Sequence, residues 1–213
     1  MKALVTGFEP FGGESVNPAL EAVLRLPLVL DALEIATAPL PSVFGRALVA
    51  LEDALVATRP DIVLCVGQAG GRAELSLERV GINIDDARIP DNDGQQPFGR
   101  PVVAGGPAAY FATLPIKAAA GALREAGLPA VVSNTAGTFV CNHVFYGLMH
   151  LAATRHLPLR GGFLHVPFLP SQAARLGGAP SMALDDIVQG IEIVLAVAAA
   201  RVEDVAVPEG MIS

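Results

Sequence analysis

Short β-branched runs recur along the chain, and between them lie stretches whose apolar positions fall three and four apart. The runs "KALVTG", "LEIATAPL", "DIVLCVG", "AVVSNT" and "GGFLHVPF" predict strands. The stretches "NPALEAVLRL", "SVFGRALVALEDALVATR", "PIKAAAGALREAG", "CNHVFYGLMHLAATRH" and "ALDDIVQGIEIVLAVAAARV" predict helices. Such alternation predicts an α/β fold: a mostly parallel central sheet flanked by helices on both faces. Sites in these folds sit beyond the carboxyl ends of the strands. That rule selects "GFEPFGGESVN" after the first strand, "GQAGGR" after the third, "TAGTFVC" after the fourth and His165 near the end of the last. Residues 88–115 are crowded with Gly and Pro and show no sustained period, so they read as an excursion with room for a hairpin. Within it "DNDG" reads as a turn, because its glycine comes too early for a calcium loop.

Composition narrows the function. With 213 residues, 52% of them hydrophobic, the chain suits one domain spanning residues 1–213. A formal charge of −7 without any Lys/Arg cluster argues against nucleic acid and anionic membrane as partners. The most apolar stretch, "GIEIVLAVAAARVEDV", is interrupted by Glu192 and is too short to cross a bilayer. The start "MKALVTGFEP" reads as a first strand and not as a signal peptide, so a cytoplasmic protein is expected. Only Cys65 and Cys141 are present, too few for a sulfur-based zinc site, and both are expected as free thiols.

Cys141 falls at the amino end of a predicted helix, where unpaired N–H groups and the positive dipole end favour thiolate over thiol. The alternative is a small buried hydrophobe on the core face of that helix, which is also the reading for Cys65. A nucleophilic thiol needs a base. Two residues along a helix point about 200° apart, so His143 is poorly placed to serve Cys141. His150 and His156 lie toward the far end of the same helix. His165 stands on an apolar strand near its carboxyl end, where a polar side chain is unexpected; it is either that base or a core histidine bonded to backbone. A carboxylate to hold the imidazole would come from Glu78, Asp85, Asp86 or Asp91, and spacing does not choose among them.

The first loop lacks the Lys and Ser/Thr of a phosphate loop, and "GQAGGR" lacks the dinucleotide fingerprint. What the first loop does hold is Phe8 and Phe11 around a proline, a pair that suits a flat uncharged group, with Asn17 and Gln68 as candidate orienting polar groups. Against this stands the reading in which both rings simply fill the core. A non-catalytic α/β ligand-binding module and an enzyme acting on nucleosides are the competing functions.

Taken together, "VTGFEPFGGESVNPA", "VGQAGGR", "ERVGIN", "ARIPDNDGQQP", "GTFVCNHVFYGL" and "GGFLHVPFLP" resemble pyroglutamyl-peptidase I, the pyrrolidone-carboxylate peptidases, in order from Thr6 to Pro170. The resemblance implies a cysteine peptidase that removes an N-terminal pyroglutamyl residue from peptides through a thioester, with Cys141, His165 and Glu78 as catalytic triad. It implies a twisted central sheet, no metal or cofactor, and a homo-oligomer with a tetramer favoured. It places Arg88 and the Cys141 N–H at the oxyanion, and Phe8, Phe11, Asn17, Gln68, Phe139 and Val140 around the lactam ring.

Overall fold

The computed structural model describes residues 1–210; the last three residues of the expected domain, 211–213, lie outside the described residues. The elements in chain order are β1 (Lys2–Phe8), α1 (Pro18–Val23), β2 (Val29–Leu30), β3 (Leu33–Leu40), α2 (Arg46–Thr58), β4 (Ile62–Gln68), β5 (Leu75–Glu78), β6 (Val80–Ile82), β7 (Ala109–Phe111), α3 (Ile116–Glu125), β8 (Ala130–Ser133), α4 (Val140–Thr154), β9 (Arg160–Val166), α5 (Pro170–Ala173) and α6 (Leu184–Ala200). Seven strands form one sheet in the order β2-β3-β1-β4-β9-β5-β8. Alternation along the strands splits the core in two. Ile62, Leu64 and Val66 of β4 face a cluster shared with residues of α1, α3 and α6, whereas Val63 and Cys65 face one shared with α2 and α4. Helices therefore cover both faces, as the alternating pattern predicts. Among the described residues no helix is long and apolar enough to cross a membrane.

The sheet departs from a uniform parallel one at β5. Strands β3, β1, β4 and β9 run parallel, and so do β5 and β8, but β5 is antiparallel to β9. Only six residues separate β4 from β5, too few to carry the chain back to the starting edge of the sheet, so β5 must run the opposite way. Its four residues "LSLE" read as a β-like segment in sequence, and β5 lies inside the sheet with all four residues buried. It follows that "TAGTFVC" does not leave the same edge as the loops after β1, β4 and β9. A turn over residues 134–139 carries the chain to α4 instead.

Helix α2 starts at Arg46, later than the periodicity suggests, because Gly45 has φ 74°, a left-handed conformation that breaks the helical run. In the 88–115 excursion, β7 pairs with β6 as a short antiparallel ribbon, and "DNDG" is a turn in which Gly94 N–H donates to the Asp91 carbonyl.

Candidate active site

His165 is the last residue but one of β9, and in register with it on β4 stands Gly67, facing the same side of the sheet. On the other flank β5 brings Glu78 one pleat deeper, opposite Phe163. His165 Nδ1–H donates to Glu78 Oε1 at 2.7 Å, which leaves Nε2 as the basic nitrogen. Glu78 is fully buried and is held a second time: Arg72 Nη1 donates to the same oxygen at 2.6 Å, while its Nη2 donates to the Thr135 carbonyl at 3.1 Å. Burial alone would raise the pKa of Glu78, but the His165 N–H, then Ser133 and the Arg72 guanidinium, outweigh it and hold the carboxyl below its ordinary value.

Cys141 is the second residue of α4 and hangs over the face of the sheet that carries Gly67 and His165. Its sulfur rests on the bare backbone of Gly67: a methyl group there would stand 2.8 Å from Sγ. The first intrahelical bond runs from His143 N–H to the Phe139 carbonyl, so the N–H groups of Val140, Cys141 and Asn142 precede the bonded ladder and are free to receive negative charge. The helix end is not the only influence on this thiol. Burial, with the Glu78 charge and the neighbouring Cys65 behind it, pushes the Cys141 thiol up to about 12; desolvation outweighs the helix end and Arg72.

Of the remaining histidines, His143 and His150 are engaged elsewhere and His156 is exposed. Gly45 N–H donates to His143 Nε2 at 3.0 Å, so the ring proton sits on Nδ1, 3.0 Å from both oxygens of Asp85. Asp85, one of the carboxylates that could have held the catalytic imidazole, is thus buried and paired with His143 instead. Asp91 is buried too, and its carboxylate accepts from the N–H groups of Phe44, Asp93 and Gln95. His150 Nδ1 meets the Tyr110 hydroxyl, and His156 follows the end of α4.

Around the thiol the rings form a chain. Phe11 packs on Phe139 at 5.8 Å, Phe139 meets Phe44 edge-on at 5.3 Å, and Phe44 meets His143 at 5.4 Å. Phe11 and Phe139 are half-buried, as a pocket wall requires, and Val140 is buried beside them. Phe8 lies deeper, its ring covered and packed on Phe163 at 6.2 Å, so it forms floor and not wall. Asn17 spends its amide on backbone: Oδ1 caps α1 by accepting from Ala19 N–H, and Nδ2 donates to the Glu9 carbonyl. Arg88 is exposed and, among the described residues, has no hydrogen bond or ion pair. It follows a segment in which Thr138 Oγ1 donates to the Asp86 carbonyl, so its backbone is tied to the turn that precedes Cys141.

Two residues of the site escaped the sequence reading. Arg72 gives no signal in sequence, since a lone arginine in a glycine-rich loop reads as solvated. Gln172 of α5 is fully buried and joins three loops: Oε1 accepts from Leu169 N–H, and Nε2 lies 3.1 Å from Gln68 Oε1, 3.1 Å from Glu14 Oε2 and 3.4 Å from the Val16 carbonyl. A glutamine that follows a Pro-Ser start is a visible helix-start signal, but its remote partners are not.

Known proteins align with this arrangement along nearly its whole length. The family model for pyroglutamyl peptidase matches residues 1–201. A pyrrolidone-carboxylate peptidase of Ralstonia nicotianae is 57% identical over 203 residues, covering 95% of this chain and 94% of its own. One from Streptomyces coelicolor is 56% identical, covering 98% of each chain. Among solved structures, pyroglutamyl peptidase I from Bacillus amyloliquefaciens superposes with a TM-score of 0.95 at 47% identity, over 97% of this chain and 99% of the other.

Proposed function

Because the chain belongs to the pyroglutamyl peptidase family, we propose that its Cys141, His165 and Glu78 carry out the family's reaction at the site just described. The protein is a cysteine peptidase that hydrolyses the bond after an N-terminal pyroglutamyl residue. The observation that carries the residue assignment is the 2.7 Å bond from His165 to a buried, ionised Glu78, on the sheet face where the Cys141 sulfur rests.

The chemistry follows from the resting state. The thiol is neutral, so attack on the pyroglutamyl carbonyl is coupled to transfer of its proton to His165 Nε2. Glu78 stabilises the imidazolium that results, without taking the proton itself. The N–H of Cys141, with the Arg88 guanidinium, receives the charge that develops on the carbonyl oxygen. His165 then gives its proton to the departing amine, a thioester remains on Cys141, and a water activated by the same imidazole releases pyroglutamate. A pyroglutamyl ring has no ammonium, which suits a pocket walled by Phe11, Phe139 and Val140. An open glutamine residue would have to strand its charged amine there, and it is rejected at that cost.

Cys141→Ser and His165→Ala are expected to lower turnover of a chromogenic pyroglutamyl amide by at least roughly 10³-fold with thermal melting unchanged, and Glu78→Gln by less. Near-normal turnover in Cys141→Ser defeats the assignment. We further assign the enzyme to the cytoplasm, where both thiols stay reduced. We also propose a homo-oligomer, a tetramer favoured, as the family resemblance implies, with Phe98 and Phe111, 77% and 67% exposed, as candidate contact residues. A monomer by sedimentation would remove that part alone.

A further inference from the structure

Gly67 is not a turn glycine. Its φ lies outside the left-handed region, so the backbone places no bar on a larger residue, and the requirement is one of space. Around the position where its side chain would begin stand two groups: Cys141 Sγ at 2.8 Å and the ring of Phe163, with Cζ at 2.9 Å and Cε1 at 3.0 Å. Carbon does not approach either group that closely without something moving. The ring has little freedom, because Phe8, Phe145 and His165 surround it with centroids 6.2, 5.8 and 4.8 Å away. The sulfur turns on a single bond. Any side chain at Gly67 therefore moves Sγ first.

We propose that Gly67 is a positioning residue for the nucleophile: its missing side chain is the seat on which the Cys141 sulfur lies, one strand from His165 and on the same face. The contact selects one rotamer of Cys141 by closing the space below it, and the neighbouring strand presents the imidazole at that level. This rests on the assignment of Cys141 as nucleophile.

The test is Gly67→Ala, read by kcat and KM on a pyroglutamyl amide, by the rate of inactivation with iodoacetamide, and by thermal melting. Displacing a reacting atom by a fraction of an ångström is expected to lower kcat about 10- to 100-fold with KM changed less than about twofold, and to slow alkylation in parallel. Unchanged kcat in a folded Gly67→Ala protein overturns the proposal. The paired variant Gly67→Ala/Phe163→Leu relieves the ring and leaves the sulfur contact in place. It is expected to keep the kcat defect relative to Phe163→Leu alone, and full recovery of kcat in the pair would show that ring strain, not sulfur displacement, was responsible. If Cys141→Ser were active, the underlying assignment would fail; a dead Cys141→Ser with a fully active Gly67→Ala sinks only the role of Gly67.

Discussion

At Cys141 two opposing influences act on one proton. The start of α4 offers N–H groups and a dipole that favour the anion, but Cys141 as a whole is only 9% exposed and lies within reach of the Glu78 charge. Desolvation wins. A thiol at about 12 means the sulfur keeps its proton at rest, and the thiolate is created as substrate is attacked. The consequence is measurable. Inactivation of the free protein by iodoacetamide is expected to keep accelerating from roughly pH 7 to roughly pH 10, because the thiolate fraction keeps growing. A rate that is already level below pH 7 would mean an ion pair exists at rest, and the burial argument would be wrong.

At the level of elements, the site depends on segments that close over distances no local pattern reveals. Helix α3 begins after Pro115, which has no capping side chain, yet its first turn is satisfied: Asp204, beyond the end of α6, accepts from Lys117 N–H at 3.0 Å and from Ala118 N–H at 2.9 Å. The carboxylate also meets the positive end of the helix. Asp204→Ala is expected to cost about 1 kcal/mol and lower the melting temperature by roughly 2–4 °C, with kcat and KM unchanged. Asp204→Asn, which keeps the acceptor, is expected to lose less, and equal melting temperatures for the three proteins would dismiss the cap. The same remoteness explains what the sequence disclosed and what it withheld. Helices follow from a period of 3.6 and doubly covered parallel strands from continuous β-branched runs, so both are legible, as are the cysteine at a helix start and the unexpected histidine in an apolar strand. The pairing of β5 with β9 is not. It depends on the shortness of one loop and on the arrival of β9 from almost ninety residues later, and it is this pairing that physically sets Glu78, the carboxylate the family resemblance names, beneath His165. Arg72, Gln172 and Asp204 are visible only once distant segments meet. Asn17 and Phe8 were read toward the substrate, but a helix start and an apolar floor claim them first.

For the whole molecule, burying both cysteines ties stability to alkaline pH. Cys65 sits within β4 between the sheet and α4, and burial, offset only by Thr6, pushes its thiol up to about 12, as it does that of Cys141. In the unfolded chain both return to about 9. The sign follows from proton binding. Below pH 9 both states keep their protons and the contribution is fully present; above it the unfolded chain releases protons that the folded one retains, so stability falls until the folded thiols also ionise near 12. Each thiol contributes a slope of about 1.4 kcal/mol per pH unit in that window. Tyrosines and lysines titrate there too, so the useful quantity is a difference between proteins. Cys65→Ala removes the ionisable group, and the cost of its smaller volume is common to both pH values; only unfolding is read, because Cys65 neighbours Cys141. Urea unfolding under reducing conditions at pH 8 and pH 10 is expected to show the wild type losing about 1.4 kcal/mol more than the variant over that interval. Identical losses would mean that Cys65 ionises as easily in the folded protein as in the unfolded chain. The sheet face it shares with Cys141 would then be far wetter than its packing implies, and the neutral resting thiol that shapes the proposed reaction would lose its physical basis.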